Sequence, residues 1–121
     1  MNEAQYRKVL AAIDRAQAQG AKVATGGKTQ GFNQGYFVAP TVLTDAPLDS
    51  DAWREEIVGP MVCIRPFATE EEAIRLANDS AYGLAAAVMS GDDTRAERVA
   101  AAFRAGIVWI NCSQPTFTEA P

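Results

Sequence analysis

Two adjacent carboxylates, Glu55 and Glu56, precede a Gly59-Pro60 turn and a short apolar run. Carboxylates resist burial unless they are paired or hydrogen-bonded, so a pair held beside a rigid turn is a candidate binding site. The two oxygens of a carboxylate can accept hydrogen bonds from the two hydroxyls of a vicinal diol such as a ribose. The pattern alone leaves open that both residues are solvated loop charges.

The chain has two cysteines, Cys63 and Cys112, and no histidine. Cys63 lies within an apolar run and is typical of a small buried residue. Cys112 follows a predicted strand and begins a loop, and Asn111 before it is expected to hydrogen-bond that turn. A nucleophilic thiol needs a base, a cation or a helix N-terminus beside it, and no histidine can serve. We therefore expect Cys112 to line a pocket, and the two cysteines to be free thiols of a reducing compartment.

Composition and missing motifs argue against several classes of function. Eleven basic residues stand against fifteen acidic ones without a basic cluster, so no nucleic-acid partner is expected. No apolar run is long enough to cross a bilayer and MNEAQYRK is no signal peptide, so we expect no membrane contact and a cytoplasmic location. The absence of histidine excludes His-ligated zinc and a Ser-His-Asp triad within the chain, and no metal site is expected. The GGKT segment lacks the first glycine of a phosphate-binding loop, and no GxGxxG fingerprint occurs.

Helical and strand patterns alternate along the sequence, which predicts an α/β fold with a largely parallel sheet flanked by helices. Capping residues at Asn2, Thr69 and Asp92 each begin a helix. Apolar runs predict strands at 22–25, 36–43 (interrupted by a proline), 61–67, 84–89 and 107–111. The last two runs are typical of strands buried on both faces. Ligands of such sheets bind beyond the carboxyl ends of strands, and the chain after Ile110 occupies such a position.

The sequence resembles one family across nearly its whole length. The C-terminal part of the catalytic domain of NAD(P)-dependent aldehyde dehydrogenases is similar to EEIVGPMVCIRPF, EEAIRLANDSAYGLAAAVMSGD and RAERVAAAFRAGIVWINC. Two segments nearer the amino terminus, QYRKVLAAIDRAQAQGAKVATGG and YFVAPTVL, resemble segments of the same family that occur in the same order. The closing segment NCSQPTFTEAP is especially similar to the corresponding segment of betaine aldehyde and aminoaldehyde dehydrogenases. The resemblance implies a single partial aldehyde dehydrogenase catalytic domain over residues 1–121, with the dinucleotide-binding domain absent.

The resemblance also implies roles for individual residues. Glu56 matches the acid that binds the nicotinamide ribose hydroxyls of the cofactor, NAD or NADP. Val58 stands where the family usually has a phenylalanine beside the nicotinamide ring, so an apolar contact remains but the aromatic wall is lost. The loop that lines the aldehyde tunnel in the family carries Cys112, Gln114, Thr116 and Phe117. Glu55 takes no role from the resemblance and is expected to be structural.

The chain lacks the family's catalytic cysteine, general-base glutamate and oxyanion asparagine, which belong to motifs upstream. In the family, a thiolate attacks the aldehyde, hydride passes to NAD(P), and water activated by the glutamate releases the acid. We therefore expect a C-terminal fragment that is inactive alone and meets its aldehyde and cofactor only in an intact enzyme. The alternative is a non-catalytic interaction module that reuses the scaffold, through self-association or pairing with the missing N-terminal half. A small thiol enzyme using Cys112 is a third hypothesis, and it lacks an activating base.

Overall fold

The computed structural model describes residues 2–28 and 34–113, in which helices and strands alternate. In chain order the elements are α1 (Glu3–Ala18), β1 (Lys22–Thr25), β2 (Thr41–Thr44), α2 (Asp51–Arg54), β3 (Met61–Ile64), α3 (Glu70–Asn78), β4 (Ala85–Val88), α4 (Asp93–Ala102) and β5 (Ile107–Ile110). The predicted α/β class is confirmed. Contacts within the chain define two compact units, Met1–Pro66 and Phe67–Pro121. The single partial domain expected over 1–121 stays a prediction.

The first unit is organised around α1. Asn2 begins this helix as expected, because its side-chain oxygen accepts a hydrogen bond of 2.9 Å from the backbone N–H of Gln5. The buried stripe of the helix contains Val9, Ala12, Ile13 and Ala16. Burying a valine or isoleucine side chain fully contributes roughly 1.5–3 kcal/mol, so this stripe is the main reason that α1 is stable in the unit.

A mixed three-stranded sheet completes the core of the first unit, in the order β1-β2-β3. β1 is antiparallel to β2, and β2 is parallel to β3 with Thr41 opposite Met61. Leu43 on the central strand is fully buried and packs with α1 residues. The apolar run at 36–43 yields a strand only from Thr41 onward, because Pro40 has no N–H to donate to a central ladder.

The second unit contains α3, α4 and the parallel pair β4-β5. Thr69 and Asp92 cap the two helices as predicted. The side-chain oxygen of each accepts a hydrogen bond from the backbone N–H three residues later, at 3.2 Å for Thr69 and 3.0 Å for Asp92. The expectation that β4 and β5 are buried on both faces is wrong for this chain. Leu84 before β4 is 83% exposed and Ile107 in β5 is 52% exposed. A parallel sheet is normally covered on both sides, and among residues 67–113 no layer covers these side chains.

A carboxylate clamp joins α3 to α4. The Nε and Nη2 groups of Arg98 donate to the two carboxylate oxygens of Glu70 at 2.8 and 2.7 Å. This bidentate contact, together with the charges of Arg98 and Arg95, holds the pKa of Glu70 below its ordinary value. A lowered folded-state pKa means that the stabilisation is present above the unfolded-state pKa and is lost as the pH falls through the folded-state pKa.

We expect Glu70→Gln to destabilise the second unit at neutral pH and to make no difference in strong acid. The measurement is chemical unfolding of wild type and variant over a pH series from neutral to acid. Glu97→Gln, at an exposed position of α4, is the control and should show no such pH-dependent difference. A wild-type advantage over Glu70→Gln that persists in acid would contradict the clamp.

Candidate functional site

The segment that carries Glu56 is a loop between α2 and β3, and α1 and β2 hold it in place. The side-chain Nε2 of Gln5 donates to the carbonyl oxygen of Val58 at 2.5 Å. Ile57 packs against the buried cluster that includes Val9. The carbonyl oxygen of Pro60 accepts a 2.8 Å bond from the N–H of the first β2 residue. The loop is therefore anchored on both sides of Val58.

Gly59 brings the backbone of this loop close to α1. A Cβ placed on Gly59 would lie 2.5 Å from Cγ2 and 3.0 Å from Cγ1 of Val9. Val9 is fully buried, so it has little room to move away. Glycine at this position therefore lets the loop that carries Glu56 approach the helix closely.

Glu56 is exposed and lines a cavity of about 250 Å³ within the first unit. The residues around this cavity are Lys8, Ala12, Arg15, Asp51, Glu55, Glu56 and Ile57. The Nε of Arg15 donates to Asp51 at 2.9 Å, and hydrogen bonds from Arg15 and Gln19 hold the pKa of Asp51 below its ordinary value. The charge of Arg15 is thus directed at Asp51, and Glu56 is an exposed residue in the lining of the same cavity.

The residues predicted to line the aldehyde site lie in the second unit or outside the described residues. Cys112 is exposed and free, two residues beyond the end of β5. Asn111 connects it to the strand and adopts a positive φ of 54°. The remaining positions of that group, Gln114, Thr116 and Phe117, lie outside the described residues. Cys112 is therefore at the carboxyl end of a parallel strand, where ligands of α/β sheets bind.

Cys63 is half-buried in β3, and its thiol donates to the carbonyl oxygen of Ala52 at 3.3 Å. Burial raises the pKa of this thiol. Cys63 therefore behaves as the small packing residue that its apolar run predicted.

A larger cavity of about 610 Å³ lies in the second unit. No motif in the sequence predicted it. Its walls come from α3, α4 and the end of β4, and they are mostly apolar, with Phe67, Met89 and Phe103 among them. The charged residues in its lining are Glu70, Arg95 and Arg98. Arg98 donates hydrogen bonds to Glu70, and the Nε of Arg95 lies 3.9 Å from Oε2 of Glu70. No sequence signal marks this cavity, because alanine, valine and phenylalanine at these spacings are also typical of ordinary core.

Within ranges 2–28 and 34–113, no group of three or more metal-ligating side chains is arranged to hold an ion. In the same part of the chain, no helix combines the length and apolar character needed to cross a membrane.

The family model described as the aldehyde dehydrogenase family matches residues 1–121. The chain belongs to the aldehyde dehydrogenase family. The resemblance that its motifs indicated is therefore confirmed.

Relatives of known activity agree with the more specific part of the resemblance. The chain is 52% identical to the peroxisomal aminoaldehyde dehydrogenase 2 of Pisum sativum, in a match that covers 100% of this chain and 24% of the relative. It is 48% identical to the chloroplastic betaine aldehyde dehydrogenase of Amaranthus hypochondriacus, with the same coverage of both proteins. The chain thus spans 24% of the length of these aldehyde dehydrogenases.

A solved structure shows the same fold. The betaine aldehyde dehydrogenase of Staphylococcus aureus in complex with NAD⁺ superposes with a TM-score of 0.93 at 43% identity, over 99% of this chain and 24% of that one. The described α/β elements are therefore those of an aldehyde dehydrogenase. The roles of Glu56, Val58 and Cys112 stay predictions.

Proposed function

We propose that this chain forms part of the active-site wall of an enzyme that oxidises betaine aldehyde or a related aminoaldehyde to its acid. The observation that carries the proposal is Glu56, an exposed carboxylate on a loop that Gln5, Val9 and Gly59 fix against α1. A carboxylate held in a fixed position beside a cavity can accept hydrogen bonds from the two hydroxyls of a cofactor ribose. The similarity to betaine aldehyde and aminoaldehyde dehydrogenases supports this choice of substrate class.

The Glu56 loop fits one portion of a nicotinamide cofactor. Glu56 offers two acceptor oxygens for the ribose diol, and Val58, 65% exposed, offers an apolar surface beside it. The adjoining cavity of about 250 Å³ is smaller than the roughly 300–1,000 Å³ usual for ligand pockets, so other parts of an enzyme must supply the remaining walls. The cofactor, NAD or NADP, supplies the acceptor for the two electrons that leave the aldehyde.

In this proposal the substrate side of the wall is the segment after β5. Cys112 contacts the aldehyde together with Gln114, Thr116 and Phe117. Support comes from the position of Cys112 beyond the carboxyl end of a parallel strand and from its exposed thiol. An exposed thiol without a histidine partner lines a pocket in preference to acting as the nucleophile.

The test uses the chain alone and within an intact enzyme. We expect the 121-residue chain to form no NADH from NAD and betaine aldehyde, since it carries neither nucleophile nor general base of the family. A chimera in which this chain replaces the matching 24% of the Staphylococcus aureus enzyme is expected to turn over. Robust turnover by the isolated chain would overturn the proposal.

Within that chimera, Glu56→Gln should raise the KM for NAD roughly ten- to a hundredfold, because a hydrogen bond to a charged group contributes about 1.5–3 kcal/mol. Glu97→Gln, at an exposed position of α4, is the matched change of charge and should leave the KM for NAD unchanged. Equal effects of the two substitutions would contradict the ribose role of Glu56.

A second candidate function is a binding module that pairs with the missing part of the family's fold or with itself. The specific observation is the exposed apolar surface of the second unit, where Leu84, Met89 and Ile107 are 83, 62 and 52% exposed. Exposed apolar surface of this kind favours association. Sedimentation at increasing concentration tests it, and a strictly monomeric chain that stays folded would count against this function.

We further propose a cytoplasmic location, which the two free thiols support because they fit a reducing compartment. The two relatives above are named as peroxisomal and chloroplastic, so an organelle is the competing location. Fractionation of the host cells distinguishes the two.

A further inference from the structure

We infer that Asn111 is a positioning residue that sets the direction of the chain at Cys112. The inference rests on the proposed function only where it places Cys112 beside the aldehyde. The claim that Asn111 orients Cys112 depends only on the backbone conformation of Asn111 and on its side-chain contacts.

The backbone at Asn111 turns sharply as β5 ends. Its φ of 54° lies in the left-handed region, which asparagine and aspartate tolerate better than other non-glycine residues. Within ranges 2–28 and 34–113, the non-glycine residues with positive φ are Asn111 and Asp45. An alanine at position 111 would favour a different exit from the strand, and the next residue, Cys112, would follow it.

The side chain of Asn111 bonds the end of β5 to the segment between β4 and α4. Its Oδ1 accepts from the backbone N–H of Ser90 at 2.8 Å, and its Nδ2 lies 3.5 Å from Oδ1 of Asp93. Its own backbone N–H donates to the carbonyl oxygen of Val88 at 2.9 Å. The short bond to Ser90 is the strongest of the side-chain contacts, because hydrogen bonds weaken as they approach 3.5 Å.

These contacts stop one residue before Cys112. The thiol is exposed and free, so its direction depends on the backbone conformation of Asn111, the residue before it. A side chain that both stabilises the left-handed turn and bonds to Ser90 restricts that direction. Cys112 is therefore presented in one orientation beyond the strand end.

A nitroxide attached to Cys112 measures this restriction directly in the full chain. Cys63→Ser removes the other thiol while a hydroxyl keeps the contact with the Ala52 carbonyl. We expect the rotational correlation time of the nitroxide to fall about twofold or more in Asn111→Gly, which permits the turn but lacks the side chain. The double variant Asn111→Asp/Asp93→Asn keeps the acceptor for Ser90 without placing two carboxylates together, and is expected to stay close to wild type.

Asn78→Ala is the matched control in the same unit. Asn78 also makes two bonds through its side chain, to the carbonyl oxygen of Ala102 at 2.8 Å and from the N–H of Arg104 at 2.7 Å. The inference is overturned if Asn111→Gly leaves the nitroxide as restricted as in wild type, or if Asn78→Ala frees it equally. Fast motion in Asn111→Gly alone, with restriction kept in Asn111→Asp/Asp93→Asn, supports it.

The chimera described above separates this inference from the proposed function. Asn111→Gly should raise the KM for the aldehyde several-fold, on the order of the loss of one hydrogen bond, and leave the KM for NAD unchanged. An unchanged aldehyde KM together with a mobile nitroxide would refute the substrate role of Cys112. The positioning of Cys112 by Asn111 would then still stand on the nitroxide result.

Discussion

Replacing Gly26 with alanine is expected to destabilise the first unit by about 3 kcal/mol. Gly26 has a φ of 78°, a conformation that alanine adopts only at a cost. A Cβ there would also collide with the carbonyl oxygen of Pro40 and lie 2.7 Å from Oγ1 of Thr41. Thr41 is 2% exposed and its hydroxyl accepts from the N–H of Gly27 at 2.9 Å, so the neighbouring backbone cannot shift without breaking this bond.

Urea unfolding followed by tryptophan fluorescence measures this effect. A Trp109→Phe background leaves Trp53 as the reporter of the first unit. Gly91→Ala is the control for an added methyl group, since no atom lies within 4 Å of the added Cβ and its φ is not positive. Because Gly91 lies in the second unit, this control is followed by Trp109 in a Trp53→Phe background. We expect the control to unfold at nearly the same urea concentration as the parent. An equally small effect of Gly26→Ala would show that the loop after β1 tolerates a side chain.

Replacing Gly59 with alanine is expected to destabilise the same unit by roughly 1–3 kcal/mol, the range for overpacking a well-packed core. The added methyl group meets both γ carbons of Val9, which α1 and the sheet enclose. The loop must then move away from the helix, which weakens the bond from Gln5 to Val58. In the chimera, the same substitution should raise the KM for NAD because Glu56 moves with the loop.

A double-mutant cycle tests whether Val9 is the cause. Val9→Ala alone leaves a cavity and lowers stability, but it also opens the space that the new methyl group needs. We expect the double variant to be more stable than the sum of the two single effects predicts, by about 1 kcal/mol or more. Additive effects would mean that Gly59→Ala acts elsewhere. Ala11→Val at an exposed position of α1 controls for changes in helix propensity.

Local signals predicted the helices well, because caps depend on residues three positions apart. The Thr69 and Asp92 caps each formed as their spacing indicated. The strand 22–25 was also predicted with its observed bounds. The antiparallel pairing of β1 with β2 and the separation into two sheets were not, since pairing depends on contacts that no short segment encodes.

Burial was the property that the sequence overestimated. The run at 84–89 has the apolar composition of a strand covered on both faces, yet Leu84 and Met89 are exposed. The apolar composition of a strand reflects its packing in the full-length protein. This chain spans 24% of the length of its relatives, so part of that packing is missing here. Sequence periodicity cannot tell whether the covering layer belongs to the same chain.

The sequence singled out Glu56 as a candidate residue, whose role stays a prediction, but it gave no signal for the contacts that hold the Glu56 loop. Glu56 was identified from its neighbours Gly59 and Pro60 and from the resemblance. Gln5, which bonds to the Glu56 loop, carried only a capping signal. Its second role depends on a contact across 53 positions of sequence, and a single sequence gives no means to find it.

That separation of 53 positions between Gln5 and Val58 also has a kinetic consequence. Closing a loop costs conformational entropy that grows with its length, so we expect the contact from Gln5 to Val58 to form after contacts between residues closer in sequence. Since α1 precedes the Glu56 loop in the chain, its contact with that loop forms only after the later segment has been synthesised. We therefore expect the acid that is proposed to hold the cofactor to become ordered late in folding.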